Sequence, residues 1–258
     1  MGASTSISWC DHTWNPWWGC TKVPGDPACE FCYAEAFAHR LGLKIWGKTK
    51  PRKFQSESYW EEPIKWNAKA TKAGLRRRVF CASMSDVFED RPDLIEDRLD
   101  LWRLIESTKN LDWLLLTKRP QNIRLMLELN CYSRTKNVWL GTTAVTQRHY
   151  DERLPKLLDN PAAVHFVSCE PLVEPIDLCL GMYTKDGPRP EWVIVGGESG
   201  PRARPFDLEW ARSIRDQCRR AGVAFFLKQL GSHGRKDKGD DMAQWPEDLR
   251  IQEFPLPR

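Results

Sequence analysis

Six short β-branched or apolar runs begin at Val79, Trp113, Val138, Val164, Trp192 and Ala224, at intervals of 34, 25, 26, 28 and 32 residues. Each interval holds one strand, one helix and two short loops, so the pattern predicts repeated parallel βα units. Leu94, Ile95, Leu99, Trp102 and Ile105 recur at helical spacing after Pro92, a residue suited to a first turn. Asp207 is placed to cap the stretch containing Trp210, Ala211, Ile214 and Cys218, and Gly222 to end it in a left-handed residue. The first 77 residues are rich in Trp, Pro and Gly with little periodicity, but an extended segment through Ile7 to Trp14 predicts one further unit. Six or seven parallel units without a dinucleotide fingerprint favour an α/β fold of the partial or complete parallel βα-barrel kind over a doubly wound sheet. The whole chain, 1–258, is read as one such domain: residues 1–77 form a cysteine loop and a basic Trp-rich segment, 78–230 the βα units, and 231–258 a C-terminal tail.

Hydrophobic residues make up 41% of the 258, enough for a full core. No uncharged apolar run is long enough to cross a bilayer, so no membrane partner is expected. Met1 to Asp11 has neither a basic flank nor an apolar stretch before a cleavage site, which predicts a cytoplasmic protein. In that reducing compartment nine cysteines read as free thiols or metal ligands.

The most specific motif is Cys20-Thr-Lys-Val-Pro-Gly-Asp-Pro-Ala-Cys29-Glu-Phe-Cys32-Tyr33. The two-residue gap lets Cys29 and Cys32 face one ion from a single turn, and the Pro and Gly residues before them can fold Cys20 back as a third ligand. Three protein thiolates on a four-iron cube leave one iron open for a non-protein ligand. The competing reading is structural zinc, with Cys10 or His12 as the fourth ligand of a closed tetrahedral site. Cys81, Cys131, Cys169, Cys179 and Cys218 lie mostly in apolar patterns and read as buried core thiols.

Cys29-x-Phe31-Cys32 resembles the end of the radical S-adenosylmethionine (SAM) motif, although the first spacing departs from the three residues usual in that superfamily. As a set, Trp14-Asn15-Pro16, Gly19-Cys20-Thr21-Lys22, Cys32-Tyr33-Ala34-Glu35, Ser168-Cys169-Glu170-Pro171, Trp192 to Gly200 and Lys228-Gln229 resemble a phage-associated three-cysteine-motif family of radical-SAM-like proteins. Its members are described as phage gene products of unknown function, and it is distantly similar to the spore photoproduct lyase branch of the superfamily. The resemblance implies a barrel of the radical SAM type and a 4Fe-4S cluster on Cys20, Cys29 and Cys32. It implies SAM as cofactor, with Phe31 and Tyr33 beside it, and an electron donor such as flavodoxin or ferredoxin.

Active sites of βα barrels lie at the C-terminal ends of the strands. Here the ends are polar: Ser83-Met84-Ser85-Asp86, Thr117-Lys118-Arg119, Thr142-Thr143, Ser168-Cys169-Glu170, Gly196-Gly197-Glu198-Ser199 and Lys228-Gln229. Gly196 and Gly197 would let backbone approach an adenine or ribose, and Glu198 could accept from ribose hydroxyls or the SAM amino group. A tight turn explains the same triplet equally well. In many radical SAM proteins a similar triplet follows the second strand, where Ser83 to Asp86 stands here, so Ser83, Asp86 and Thr142 join the expected cofactor contacts. Glu170 is a buried-carboxylate candidate that could instead pair with Lys228 or Arg119. Lys118, Arg119, Lys228 and Gln229 are the expected substrate contacts, the cations suiting a phosphate or a carboxylate. His39, His149, His165 and His233 lack ligand spacing and take no role.

Residues 40–78 hold twelve Lys or Arg and three Glu, a local excess of +9, although the whole chain carries only +4. Trp46, Tyr59, Trp60 and Trp66 are interleaved there, so the segment could contact phosphates and stack bases, or could be a solvated face whose rings pack inward. The expected function is a radical SAM enzyme generating a 5′-deoxyadenosyl radical to rearrange, isomerise or repair a nucleic-acid base, including hypermodified thymidine in phage DNA. The competitors are a zinc-stabilised nucleic-acid-binding protein without catalysis, and a radical SAM enzyme acting on a peptide or small metabolite.

Overall fold

The strands alternate two side-chain faces, and both faces are apolar. In β4 (Arg77–Cys81), Val79 and Cys81 point one way and Phe80 the other; in β5 (Leu111–Thr117), Trp113 and Leu115 oppose Leu114. A strand buried on both faces belongs in the middle of a parallel sheet covered by helices. The computed structural model, which describes residues 5–128, 136–183 and 187–255, shows such a sheet. β1 (His12–Trp14), β4, β5, β6 (Val138–Thr143), β7 (Val164–Cys169), β8 (Trp192–Gly196) and β9 (Ala224–Gln229) lie in that order, every neighbouring pair parallel. Sequential order with parallel pairing is the singly wound topology of a barrel, and the sheet curls into a half-barrel. A two-stranded antiparallel pair, β2 (Trp17–Trp18) with β3 (Lys53–Phe54), stands apart from it.

The seven strands include all six expected starts and the expected N-terminal unit. The first unit makes a long excursion through α1 (Pro27–Glu30), α2 (Tyr33–Arg40), α3 (Glu57–Trp60) and α4 (Glu62–Lys72). The later helices are α5 (Ile95–Ser107), α6 (Ile123–Glu128), α7 (Gln147–Leu158) and α8 (Leu208–Ala221). Asp207 caps α8 by accepting from the Glu209 amide, and Gly222 ends it at φ 63°, as expected. The β7–β8 connection departs from the βα pattern: among its described residues there is only a 3₁₀ turn at Leu180–Met182. Pro171, Pro175, Pro188 and Pro190 punctuate that stretch, and prolines remove the amide donors a helix needs.

The concave face is filled by Phe80, Leu114, Trp139, Phe166, Trp192, Ile194 and Phe226, with Trp9 of the N-terminal segment inserted among them. The Trp9 ring lies 4.5 Å from Phe80 and 6.1 Å from Trp192, so one side chain touches both β4 and β8 and floors the half-barrel. Gly141 is required here, because a Cβ at that position would sit 2.3 Å from the Phe166 ring. Cys81, Cys169 and Cys218 are fully buried as expected, but Cys179 is exposed, held at φ 47° in the proline-rich connection; Cys131 lies outside the described residues. No helix among the described residues is long and apolar enough to cross a membrane.

Several rings and arginines of the basic segment are engaged within the fold. Trp66 is 3% exposed and packs in the core with His12 stacked on its ring, while Tyr59 and Trp60 pack on Trp14. Arg76 pairs with Asp112 at 2.6 Å, and Arg77 and Arg78 pair with Asp11. These arginines stand at the start of β4, the end of the sheet opposite the cysteine loop.

Candidate functional site

The C-terminal ends of β5 to β9 deliver side chains to one cavity of about 310 Å³. Leu116 lies near the end of β5 and Lys118 follows it, Thr143 ends β6, Ser168 lies near the end of β7 and Glu170 follows it, Gly197 and Glu198 follow β8, and Lys228 and Gln229 close β9. Phe31, Cys32 and Tyr33 form its lip, and Trp9 and Phe80 lie at its base. Of the expected site residues, the cavity thus gathers Phe31, Cys32, Tyr33, Lys118, Glu170, Gly197, Glu198, Lys228 and Gln229.

The remaining expected contacts act elsewhere. Thr142 lies one residue out of phase and turns its hydroxyl to the Thr117 carbonyl at 2.9 Å, leaving the cavity wall to Thr143. Gly196 makes room for Glu170, whose Oε1 would lie 2.7 Å from a Cβ there. Asp86 accepts from Thr117 Oγ1 at 2.7 Å, the Phe88 amide at 3.0 Å and Arg119 Nη1 at 2.8 Å, which occupies both residues. Ser83 is held by Asn15, whose Nδ2 lies 3.2 Å from the hydroxyl while its Oδ1 accepts from the Met84 amide at 2.7 Å.

The mouth holds fewer free charges than the sequence implies. Lys228 pairs with Glu170 at 2.9 Å. Both Glu198 oxygens are taken by Arg204, at 2.8 and 2.9 Å. The Lys118 side chain has no hydrogen bond or ion pair among the described residues. Burial works against its charge, but Cys29, Cys32, Asp26 and Asp86 together hold its pKa above the ordinary value. Among the described residues Lys118 is therefore an uncommitted cation at the strand ends, with Lys238 also lining the cavity.

Arginines fasten the cysteine loop: Arg119, expected as a substrate contact, and Arg52, Arg153 and Arg204, to which no role was given. Arg52, buried against Glu89 at 2.7 Å, donates to Thr21 Oγ1, and Glu89 accepts the Thr21 amide. Arg119 donates to the Thr21 carbonyl and approaches Cys20 Sγ at 3.9 Å. Asp26 caps α1 through the Ala28 amide and pairs with Arg153 at 2.5 Å. Arg204 donates to the Pro27 carbonyl at 2.8 Å, and with Arg202 it lies over the Phe31 ring. Gly19 enters at φ 109°, where a Cβ would meet the Ile45 carbonyl at 2.4 Å. None of these arginine partners is local, so no short motif betrays them.

Burial pushes the Cys20 thiol up to about 12, Asp86 adding to the rise and Arg119 opposing it; burial also raises Cys29. Raised in this way, the free Cys20 and Cys29 thiols are protonated at neutral pH, and a bound metal would displace the protons. Among the described residues, no three His, Cys, Asp or Glu side chains meet in a metal-holding group. Cys10 belongs to the concave cluster, and His12 lies stacked on Trp66.

No curated protein and no solved structure matches the chain. A family profile does, over residues 4–250, and its description is a protein of unknown function, DUF5131. With nearly its whole length inside that match, the chain belongs to the DUF5131 family.

Proposed function

We propose that this chain is a radical SAM enzyme, with a 4Fe-4S cluster on Cys20, Cys29 and Cys32 and SAM in the half-barrel cavity. The observation that carries the reading is that the lip residue of the cavity is itself a cysteine of the three-thiol loop. Cys32 lines the same space as Lys118, Glu170, Gly197 and Lys228, so a group held by the sulfurs would face the strand-end residues directly.

The donor set fits in kind: three thiols on one loop, with Lys118 and Arg119 beside them to offset thiolate charge. Gathering them requires the sulfurs of Cys20, Cys29 and Cys32 to come closer together than they stand among the described residues. When bound, the cluster and SAM supply a carbon radical by reductive cleavage of a sulfur–carbon bond.

The chain's own residues bind and shield. Lys118 is placed to take a carboxylate; the missing side chain of Gly197, expected to admit an adenine or ribose, instead makes room for the Leu230 carbonyl, which would lie 2.2 Å from a Cβ there. The Glu170–Lys228 pair fixes the far wall, and Gln229 is turned to the Gly197 carbonyl at 2.9 Å. The aromatic floor around Trp9 excludes water from beneath. The test is anaerobic reconstitution followed by an assay for 5′-deoxyadenosine with reductant and SAM. Product that requires all three cysteines supports the reading, and its absence from a fully loaded protein refutes it.

A further inference from the structure

A second concavity of about 1060 Å³ opens outward from the cavity and shares Phe31, Cys32 and Tyr33 with it. Its walls are α2 on one side and the loops after β8 and β9 on the other. Four exposed cations line it: Arg40, Arg202, Lys236 and Lys238. None of them forms an ion pair among the described residues; Arg40 and Arg202 only lie over the rings of Phe37 and Phe31. Most acids of the groove are engaged: Glu35 with Lys22 at 2.6 Å, Asp237 with Arg235 at 2.9 Å, and Glu30 with Arg204 at 3.4 Å. The mouth thus carries positive charge with no ion-pair partner among the described residues, whereas the arginines that open β4 are paired at the opposite end of the sheet.

The loops carrying this charge are fastened to each other. The Ser232 amide donates to the Glu198 carbonyl at 2.8 Å, the Gly200 amide to Ser232 Oγ at 3.2 Å, and the Gly231 amide to the Lys238 carbonyl at 2.9 Å. At the junction of groove and cavity, Tyr33 is 53% exposed while its hydroxyl is tied to the Ser83 carbonyl at 2.7 Å. An anchored ring at the lip, with fixed cations beyond it, matches a ligand of alternating flat bases and phosphates.

Building on the radical SAM reading, we infer that the groove between α2 and the loops after β8 and β9 binds a single-stranded nucleic acid, delivering one base past Tyr33 into the cavity. A phosphorylated metabolite would fill the cavity and leave the outer cations unused. An intact duplex keeps its bases stacked and out of reach of so recessed a site, at an unstacking cost of roughly a few kcal/mol.

The test measures binding of a fluorescein-labelled oligothymidylate to three proteins across a salt series. Arg40→Glu/Lys236→Glu reverses two groove charges, and Lys69→Glu/Lys72→Glu makes the same net change on exposed α4, within the basic segment. The groove variant should bind about tenfold or more weakly and lose about 1.4 from the logarithmic salt slope, at roughly 0.7 per phosphate contact. The α4 variant should stay within about twofold of the parent, and thermal melts should confirm that both variants are folded. Equal loss in the two variants, or greater loss in the α4 variant, overturns the inference. So does a parent protein that binds no oligonucleotide, whatever its SAM chemistry. Cluster content and 5′-deoxyadenosine formation, measured without oligonucleotide on the same parent protein, judge the radical SAM reading separately.

Discussion

Asp26 and Arg153, 127 positions apart in sequence, share a 2.5 Å ion pair that joins the cysteine loop to α7. The Asp26 side chain is fully buried, and the same arginine donates to the Thr143 carbonyl at 2.7 Å, so loop and strand end are fixed together. Removing one partner of such a pair strands the other. Asp26→Asn should cost about 3–5 kcal/mol in urea unfolding. Burial raises the Asp26 pKa but Arg153 lowers it further, so the folded value is net depressed. The contribution is therefore present above the unfolded pKa of about 3.9 and lost as pH falls through the folded value. The gap between parent and Asp26→Asn should narrow below about pH 4; a gap that widens there contradicts the assignment.

Gly141 faces the Phe166 ring at a distance that leaves no space for a methyl group. Gly141→Ala should destabilise by about 1–3 kcal/mol through overpacking. Adding Phe166→Leu should recover part of that loss, which a double-mutant cycle in chemical denaturation would show as coupling; strict additivity would mean that the two sites do not touch.

Glu198 was expected to contact SAM, but Arg204 occupies both of its oxygens and also holds the Pro27 carbonyl. Glu198→Ala should therefore lower iron incorporation during reconstitution as well as SAM affinity, because it releases the arginine that braces α1. Iron content equal to the parent, with only SAM affinity reduced, would assign Glu198 to the cofactor instead.

Among the described residues Lys118 is an uncommitted cation at the strand ends. Lys118→Met should weaken SAM binding about tenfold or more, the range of a hydrogen bond to a charged group. Equilibrium dialysis on protein of matched iron content measures it, and an unchanged affinity would place the SAM carboxylate elsewhere.

The sheet was legible because inward and outward positions alternate within short runs: Val79 against Phe80 and Trp113 against Leu114 mark strands buried on both faces. The inner wall was legible only to the nearest residue, and Thr142 was taken for Thr143 because strand phase depends on a register that local sequence does not reveal. The charges were misjudged for a different reason. Arg76 and Asp112 are far apart along the chain, and composition counts such residues as free when folding pairs them, whereas the pair of Glu170 with Lys228 was one of the readings its strand end offered. The bracing arginines Arg52, Arg153 and Arg204 escaped notice for the same reason. The β7–β8 stretch could have been read correctly, since its four prolines already argue against a helix.

The central claim is tested most directly by electron paramagnetic resonance of anaerobically reconstituted, reduced protein, recorded without and with SAM. The account predicts about four iron and four sulfide per chain, a reduced-cluster signal that shifts when SAM is added, and loss of that signal in Cys20→Ala, Cys29→Ala and Cys32→Ala but not in Cys10→Ala. Stoichiometric zinc with no iron after the same treatment, or a cluster whose signal ignores SAM, would contradict it.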